Sequence, residues 1–316
     1  MSRDRIVCLV GPTASGKTTL ALRVAERWPV EIVSADSRQV YRGLDIGTAK
    51  PTAAEQARVR HHGLDLIDPG EEYDAGRFAE MARTAITAAH GREHDILVVG
   101  GTGLYVRSLL RGLSPVPPRS LPLRRVLMEQ SRHEGMPALH RWLRAIDPAI
   151  AARVHPNDGS RIVRALEVAF DTGRRLSEWQ QTRAAPAPWH AWIVGLDVPV
   201  TELDARIAAR VQTMMASGWL AEVERLVRAT PPDAPAWRTV GYRELRALVD
   251  GSCPHADAVA AITRATRQFA KRQRTWFRHQ ADVTWLAPTP DGNNTVIEAI
   301  VAFLRGPAAP SGPHPH

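Results

Sequence analysis

Uninterrupted apolar runs alternate with amphipathic stretches along the chain. Ile6-Val7-Cys8-Leu9-Val10 and the run from Asp95 to Val99 lack a polar–apolar alternation, which predicts strands buried on both faces of a parallel sheet. Val30 to Ser34 and Trp192 to Asp197 predict two further strands, and His61 to Pro69 a short strand with a turn. Helical spacing covers Thr19–Glu26, Ala53–Arg60 and Phe78–Ala89, then Leu203–Met215 and Leu220–Ala229, joined at Ser217-Gly218. The last long helix, Asp257 to Gln280, is the clearest. Ile262, Ala265, Phe269 and Trp276 fall on one side, and Arg264, Arg267, Lys271, Arg274 and Arg278 on the other. Without interleaved acids such a stripe repels itself by a few tenths of a kcal/mol per pair, roughly, which a polyanion lying against it would offset. A solvated face is the alternative.

Strands alternating with helices predict an α/β fold with a parallel sheet flanked by helices. The pattern changes between Pro115-Val116-Pro117-Pro118 and Pro186-Ala187-Pro188, where helical segments occur with no clear strand. The chain is therefore expected to hold one core, residues 1–114 with 189–290, and an all-helical insertion domain, 115–188. The Pro-, Gly- and His-rich tail, 306–316, is expected to be disordered.

Composition sharpens this picture. With 316 residues and 44% hydrophobic content, the chain can bury one large core or two ordinary ones. Its net charge of +8 suggests a polyanionic partner. Lysine is confined to Lys17, Lys50 and Lys271, while Arg119 to Arg183 holds 12 arginines and 7 acidic residues. A helical insertion with that excess can grip a phosphate backbone, or can be a plain solvated lid. Cys8 and Cys253 are far apart and suggest neither a disulfide framework nor a metal site. The N-terminal apolar run is too short for a signal-peptide core, and no stretch approaches the ~20 apolar residues that span a bilayer. A cytoplasmic protein without a membrane partner is expected, and a monomer.

Candidate chemistry begins after the first strand. Gly11-Pro12-Thr13-Ala14-Ser15-Gly16-Lys17-Thr18 stands between a strand and a helix, the context of a phosphate-binding loop. Consecutive backbone N–H groups would point at an anion, aided by the helix N-terminus. Lys17 supplies a mobile charge, and the Thr18 hydroxyl a ligand for Mg²⁺. The fold class is thus a P-loop NTPase-like parallel sheet with the helical insertion. Asp36 follows the second strand, on the edge where open α/β sheets bind ligands; it would be a general base, a magnesium ligand or a turn residue. The run from Tyr41 to Pro51 would wrap a ligand or form a long surface connection. The strand ending at Val99 opens into Gly100-Gly101-Thr102 rather than the magnesium-holding Asp of typical P-loop NTPases, which argues against a nucleotide-driven motor. His61 and His62 lack a complete metal-ligand set. Trp237 to Arg243 places arginine beside aromatic residues at a helix start, either to stack on nucleic acid or to pack.

The phosphate loop, Ser34 to Pro51 with its Ile46-Gly47-Thr48-Ala49-Lys50-Pro51, and Gly100 to Tyr105 form a set with three further stretches. These are Arg164 to Val168, Val240 to Glu244, and Thr266 to Gln273 with its Gln268-Phe269-Ala270-Lys271-Arg272-Gln273. Together the set resembles the tRNA dimethylallyltransferase family over residues 6–286. The resemblance implies transfer of a dimethylallyl group from dimethylallyl diphosphate to N6 of adenosine 37 in tRNA, with Mg²⁺. Gly11, Pro12, Thr13, Ala14, Ser15, Gly16, Lys17, Thr18 and Arg210 would hold the diphosphate, with Thr18 on the metal. Asp36 would accept the proton of the amine, Thr102 would line the channel where amine and allylic carbon meet, and Lys17 would assist the departing group. Contacts with tRNA would come from Asp36, Ser37, Arg38, Gln39, Thr102, Arg124, Ser160, Arg161, Arg164, Arg238, Gly241, Tyr242 and Lys271. A small-molecule or nucleotide kinase is the alternative, but it leaves the basic helix unexplained.

Overall fold

The computed structural model describes residues 4–182, 187–288 and 293–306. The expected calls on Arg183, Pro186 and the tail beyond Gly306 lie outside them. Two compact units are present, Met1–Leu110 with Ala187–His316, and Arg111–Pro186.

The first unit is built on strands β1 (Arg5–Val10), β2 (Val30–Ser34), β3 (His61–His62), β4 (Asp95–Gly100), β5 (His190–Leu196) and β6 (Thr284–Leu286). They form one six-stranded sheet in the order β3-β2-β4-β1-β5-β6. Every pairing is parallel, with Val7 opposite Leu97 on one side and Trp192 on the other. β-Branched and leucine-rich strands of this kind are buried on both faces because crossover helices cover both. One face packs Val7, Leu9, Ile32 and Val194 against helix α1 (Lys17–Ala25) and a C-terminal helix over Asn294–Arg305. The other packs Ile6, Cys8, Val33 and Val98 against the helix that follows the short helix α2 (Ala53–Arg58), α3 (Ala75–Gly91), and the next, α4 (Gly103–Arg111).

Since all strands run the same way, the ends of β1, β2 and β4 open on one edge of the sheet. There they feed the phosphate loop, Asp36 and the Gly100-Gly101-Thr102 turn.

The second unit consists of α5 (Leu121–Glu134), α6 (Met136–Ile146), α7 (Pro148–Ala151), α8 (Gly159–Thr172) and α9 (Leu176–Gln181). Leu127, Leu139, Leu143, Ile162, Val163 and Leu166 form its own core. It begins at Arg111, inside α4, rather than at Pro115.

After β5 the first unit continues with α10 (Val200–Ala216), α11 (Trp219–Ala229), a 3-10 turn at Pro235–Arg238, α12 (Tyr242–Val249) and α13 (His255–Gln280). Asn294–Arg305 is α14, an element beyond the expected core limit of 290. Its Val296, Ile297, Ile300, Val301 and Leu304 are buried at helical spacing. Among the described residues no helix is long and apolar enough to cross a membrane.

Two faces differ from the sequence reading. On α13 the fully buried positions are Ala258, Ile262, Ala270, Gln273 and Phe277, while Ala265, Phe269 and Trp276 are half-buried. The buried seam thus runs through small and polar residues that hydropathy does not flag. The cationic stripe is also not free of acids. Arg274 and Arg278 converge on Asp197 at 3.3 and 2.8 Å, and Arg267 faces Asp204 at 3.7 Å. Among the described residues no acidic partner is seen for the exposed Arg264 and Lys271.

Candidate active site

The phosphate loop curls through positive φ at Gly11 (145°), Ala14 (64°) and Gly16 (96°), the geometry of an anion nest. Gly16 is the N-cap of α1 and has no side-chain cap, so the first amides of the helix are left to a ligand or solvent. The Ser15 hydroxyl is buried with no hydrogen-bond partner, an orphan that an anion would satisfy. Lys17 folds its ammonium onto the Pro12 carbonyl oxygen at 2.8 Å. Burial pulls its pKa down to about 8, with Arg210 adding to the fall and Asp36 opposing it. Arg210 reaches from α10 to Thr13 Oγ1 at 3.4 Å. Desolvation lowers its pKa too, opposed by Asp36. One turn earlier, Arg206 reaches the Ser15 carbonyl at 3.4 Å and is held by Glu202 at 2.6 Å. Two half-buried cations facing one carboxylate leave an excess of positive charge at the loop.

Asp36 accepts the backbone N–H of Arg38 through Oδ1 at 2.8 Å, so it is a turn residue and also lines the site. A cavity of about 70 Å³ brings it together with Thr13, Lys17, Thr18, Arg210 and Gln273. A neighbouring cavity of about 260 Å³ shares Thr13, Asp36 and Arg210. Val211, Met214, Trp219, Val240 and Phe269 give this second space apolar walls, and Arg38, Arg238 and Arg272 give it cationic ones. A third space of about 830 Å³ is also lined by Lys17, Thr18 and Arg210.

Thr102 does not line these cavities; Gly100 and Gly101 do at that turn. Its Oγ1 instead accepts the Ser37 N–H at 3.0 Å, fixing the segment that carries Asp36. Gln39 is likewise committed: Ser34 Oγ donates to its Oε1 at 2.8 Å, and its Nε2 donates to the carbonyls of Thr48 and Ala49.

The Tyr41–Pro51 loop is held from within. Lys50, only 4% exposed in its side chain, donates to the Tyr41 carbonyl, Asp45 and Asp65 at 2.8, 2.5 and 2.6 Å. Buried Glu222 of α11 accepts the N–H groups of Asp45 and Ile46 at 3.1 and 2.9 Å. Trp219 lies over Gly47 so closely that a Cβ there would meet the indole at 2.1 Å.

Trp237 and Tyr242 are buried, which settles the Trp237–Arg243 stretch as packing for its aromatic members. Gly241 is buried as well, and its N–H donates to Glu244 at 2.7 Å. Arg238 remains exposed, 3.7 Å from Glu72.

In the helical unit, buried Glu167 engages two of the arginines expected to contact tRNA. It holds Arg164 at 2.7 Å and faces Arg124 at 3.7 Å. Arg164 also donates to the carbonyl of Pro117. Arg161, 74% exposed, pairs with Asp158, and Ser160 is exposed.

His62 Nε2 donates to Glu31, which also accepts from Arg92 and His94. Burial opposes ionisation of Glu31, but hydrogen bonds from Arg92, His62 and His94 outweigh it and hold its pKa at about 2. Among the described residues no three His, Cys, Asp or Glu side chains form a metal-holding group.

Sequence reasoning assigned no role to Gln273, Glu222 or Trp219. Gln273 lay within a stretch already singled out, but its polar contacts join segments far apart in sequence, and no local pattern marks them.

A family model described as IPP transferase matches residues 39–280. The chain is 48% identical to the tRNA dimethylallyltransferase of Anaeromyxobacter dehalogenans (strain 2CP-C), covering 91% of this chain and 96% of that one. It is 45% identical to the tRNA dimethylallyltransferase of Geobacter metallireducens, covering 96% and 98%. Among solved structures, the tRNA isopentenylpyrophosphate transferase of Bacillus halodurans aligns with a TM-score of 0.70 at 35% identity, over 96% of this chain and 97% of that one. A eukaryotic dimethylallyltransferase acting on tRNA aligns with a TM-score of 0.79 at 26% identity, over 95% and 78%. The chain belongs to the IPP transferase family.

Proposed function

We propose that this chain transfers a dimethylallyl group from dimethylallyl diphosphate to N6 of adenosine 37 in tRNA, acting in the cytoplasm. The observation that carries the reading is the sharing of Asp36 and Arg210 between a cationic phosphate cavity and a neighbouring one with an apolar wall of Val211, Met214, Trp219, Val240 and Phe269. A prenyl diphosphate has that division: one end is highly charged and the other is hydrocarbon.

In this reading the phosphate loop, Lys17 and Arg210 hold the diphosphate. Their charges stabilise it as the allylic C–O bond breaks, because they already face the place where negative charge develops. The adenine amino group attacks the allylic carbon as diphosphate departs, and Asp36 takes the amine proton. A stacked base cannot reach Asp36, so adenosine 37 is everted into the space walled by Met214, Trp219 and Phe269. Arg38, Arg238 and Lys271, with Arg124, Ser160, Arg161 and Arg164 of the helical unit, contact the tRNA.

A magnesium ion fits the residues present. Thr18 shares the cavity with Asp36, and a site with few protein ligands suits an ion that keeps several waters and binds substrate phosphates. When bound, Mg²⁺ supplies further positive charge to the diphosphate, with Thr18 as its protein ligand.

Incubation with radiolabelled dimethylallyl diphosphate and unmodified tRNA tests the reading. Label is expected in tRNA, with one diphosphate released per group transferred. Phosphate release from ATP without labelled tRNA would favour a kinase instead.

A further inference from the structure

We infer that Gln273 is a positioning residue that fixes the distance between the phosphate loop and the turn holding Asp36. The inference rests on the transfer reading above. Gln273 projects from α13 and is 7% exposed. Its Oε1 accepts the Thr13 N–H at 2.8 Å, and its Nε2 donates to the Gly101 carbonyl at 3.1 Å. A primary amide carries a donor and an acceptor side by side, so one side chain joins an N–H of one loop to a C=O of another. The approach is possible because residue 101 has no side chain. A Cβ there would stand 1.9 Å from Gln273 Nε2.

The connection continues toward the base. Thr102 N–H donates to the Ala35 carbonyl at 3.1 Å, Ser37 N–H donates to Thr102 Oγ1 at 3.0 Å, and Arg38 N–H donates to Asp36 Oδ1 at 2.8 Å. An unbroken series of hydrogen bonds and peptide units therefore links the loop that holds the diphosphate to the carboxylate that receives the proton. The tie also occupies the Thr13 amide, a loop donor committed to placement. Gln273 itself needs no contact with reacting atoms.

Transfer requires the amine and the allylic carbon to meet, and a displacement of about 1 Å between two bound groups can cost ~10²-fold in rate. Loss of the tie should thus lower turnover while leaving each substrate bound. The test compares wild type with Gln273→Met, close in shape but without polar atoms, and Gln273→Glu, which keeps the acceptor and loses the donor. Inorganic diphosphate binding is measured by calorimetry, and KM and kcat are measured for both substrates. We expect kcat to fall about 10–100-fold in Gln273→Met, with both KM values and the diphosphate Kd within about threefold of wild type. If Gln273→Met does not fold, Gln273→Glu is read by the same criterion. A kcat within threefold of wild type overturns the inference, as does a rise in KM or Kd that parallels the loss of kcat. Absence of transfer by wild type refutes the transfer reading itself, whereas normal wild-type transfer with unaffected variants removes only the role of Gln273.

Discussion

The phenol of Tyr242 donates to Glu222 Oε1 at 2.6 Å and accepts the Gly47 N–H at 3.1 Å. Burial and the adjacent carboxylate push its pKa far above the usual range. Glu222 binds the backbone of Asp45 and Ile46 as well, so the pair anchors the loop that walls the site. Tyr242→Phe is expected to cost roughly 1–2 kcal/mol of stability, because Glu222 loses a buried donor. Its tRNA affinity should stay within about threefold of wild type. Thermal unfolding beside a tRNA titration checks this; a tenfold weaker complex at unchanged stability would return Tyr242 to the RNA interface.

Lys17 predicts a pH dependence of donor binding. Its pKa is lowered to about 8 by burial, and only the protonated amine attracts phosphate. Affinity for a non-reactive prenyl diphosphate analogue should be flat well below that value. It should fall toward tenfold per pH unit above it, since binding must then supply the missing proton. Lys17→Met is expected to bind weakly and without that slope, measured by calorimetry in a pH series.

Asp36 combines two tasks that substitution can separate. Asn at this position keeps an acceptor for the Arg38 N–H but cannot take a proton, while Ala loses both. Asp36→Asn is expected to lose about 10²–10⁴-fold in kcat at near-normal stability. Asp36→Ala should lose as much activity and be less stable. Single-turnover transfer and thermal unfolding together decide; high activity in the Asn variant would sink the base assignment.

The acids around α13 divide its cations into two groups. Arg278 is paired with Asp197, whereas no acidic partner is described for Lys271. Affinity for tRNA should fall steeply with salt, and Lys271→Ala should reduce the slope of log K against log salt by about 1. Arg278→Ala should leave the slope near wild type and cost at most about 1 kcal/mol of stability. A filter-binding series in KCl distinguishes them.

The strands and the phosphate loop were legible because both depend on local pattern: apolar runs of strand length, and glycines between strand and helix. Their convergence followed from the parallel sheet. The second task of Asp36 was visible too, as a turn residue weighed beside a base. What local pattern could not give was direction in space. Tyr242 sits at a helix start beside Arg243, and only the distant Glu222 decides that its ring faces inward. The face of α13 was misphased for a related reason, since its buried seam contains Ala258, Ala270 and Gln273. Asp197 and Asp204 neutralise its arginines from other elements, beyond the reach of any periodicity. By contrast α14 carried a readable stripe at Val296, Ile297, Ile300 and Leu304, a signal present but not used.

The three-way hold of Lys50 has a bearing on the makeup of the whole chain. Nearly every lysine-or-arginine position here is arginine, yet an ammonium stands where three oxygens meet one nitrogen. A tetrahedral centre meets such a set, and a flat guanidinium fork does not. At Lys50, then, the shape of the cation counts for more than its charge.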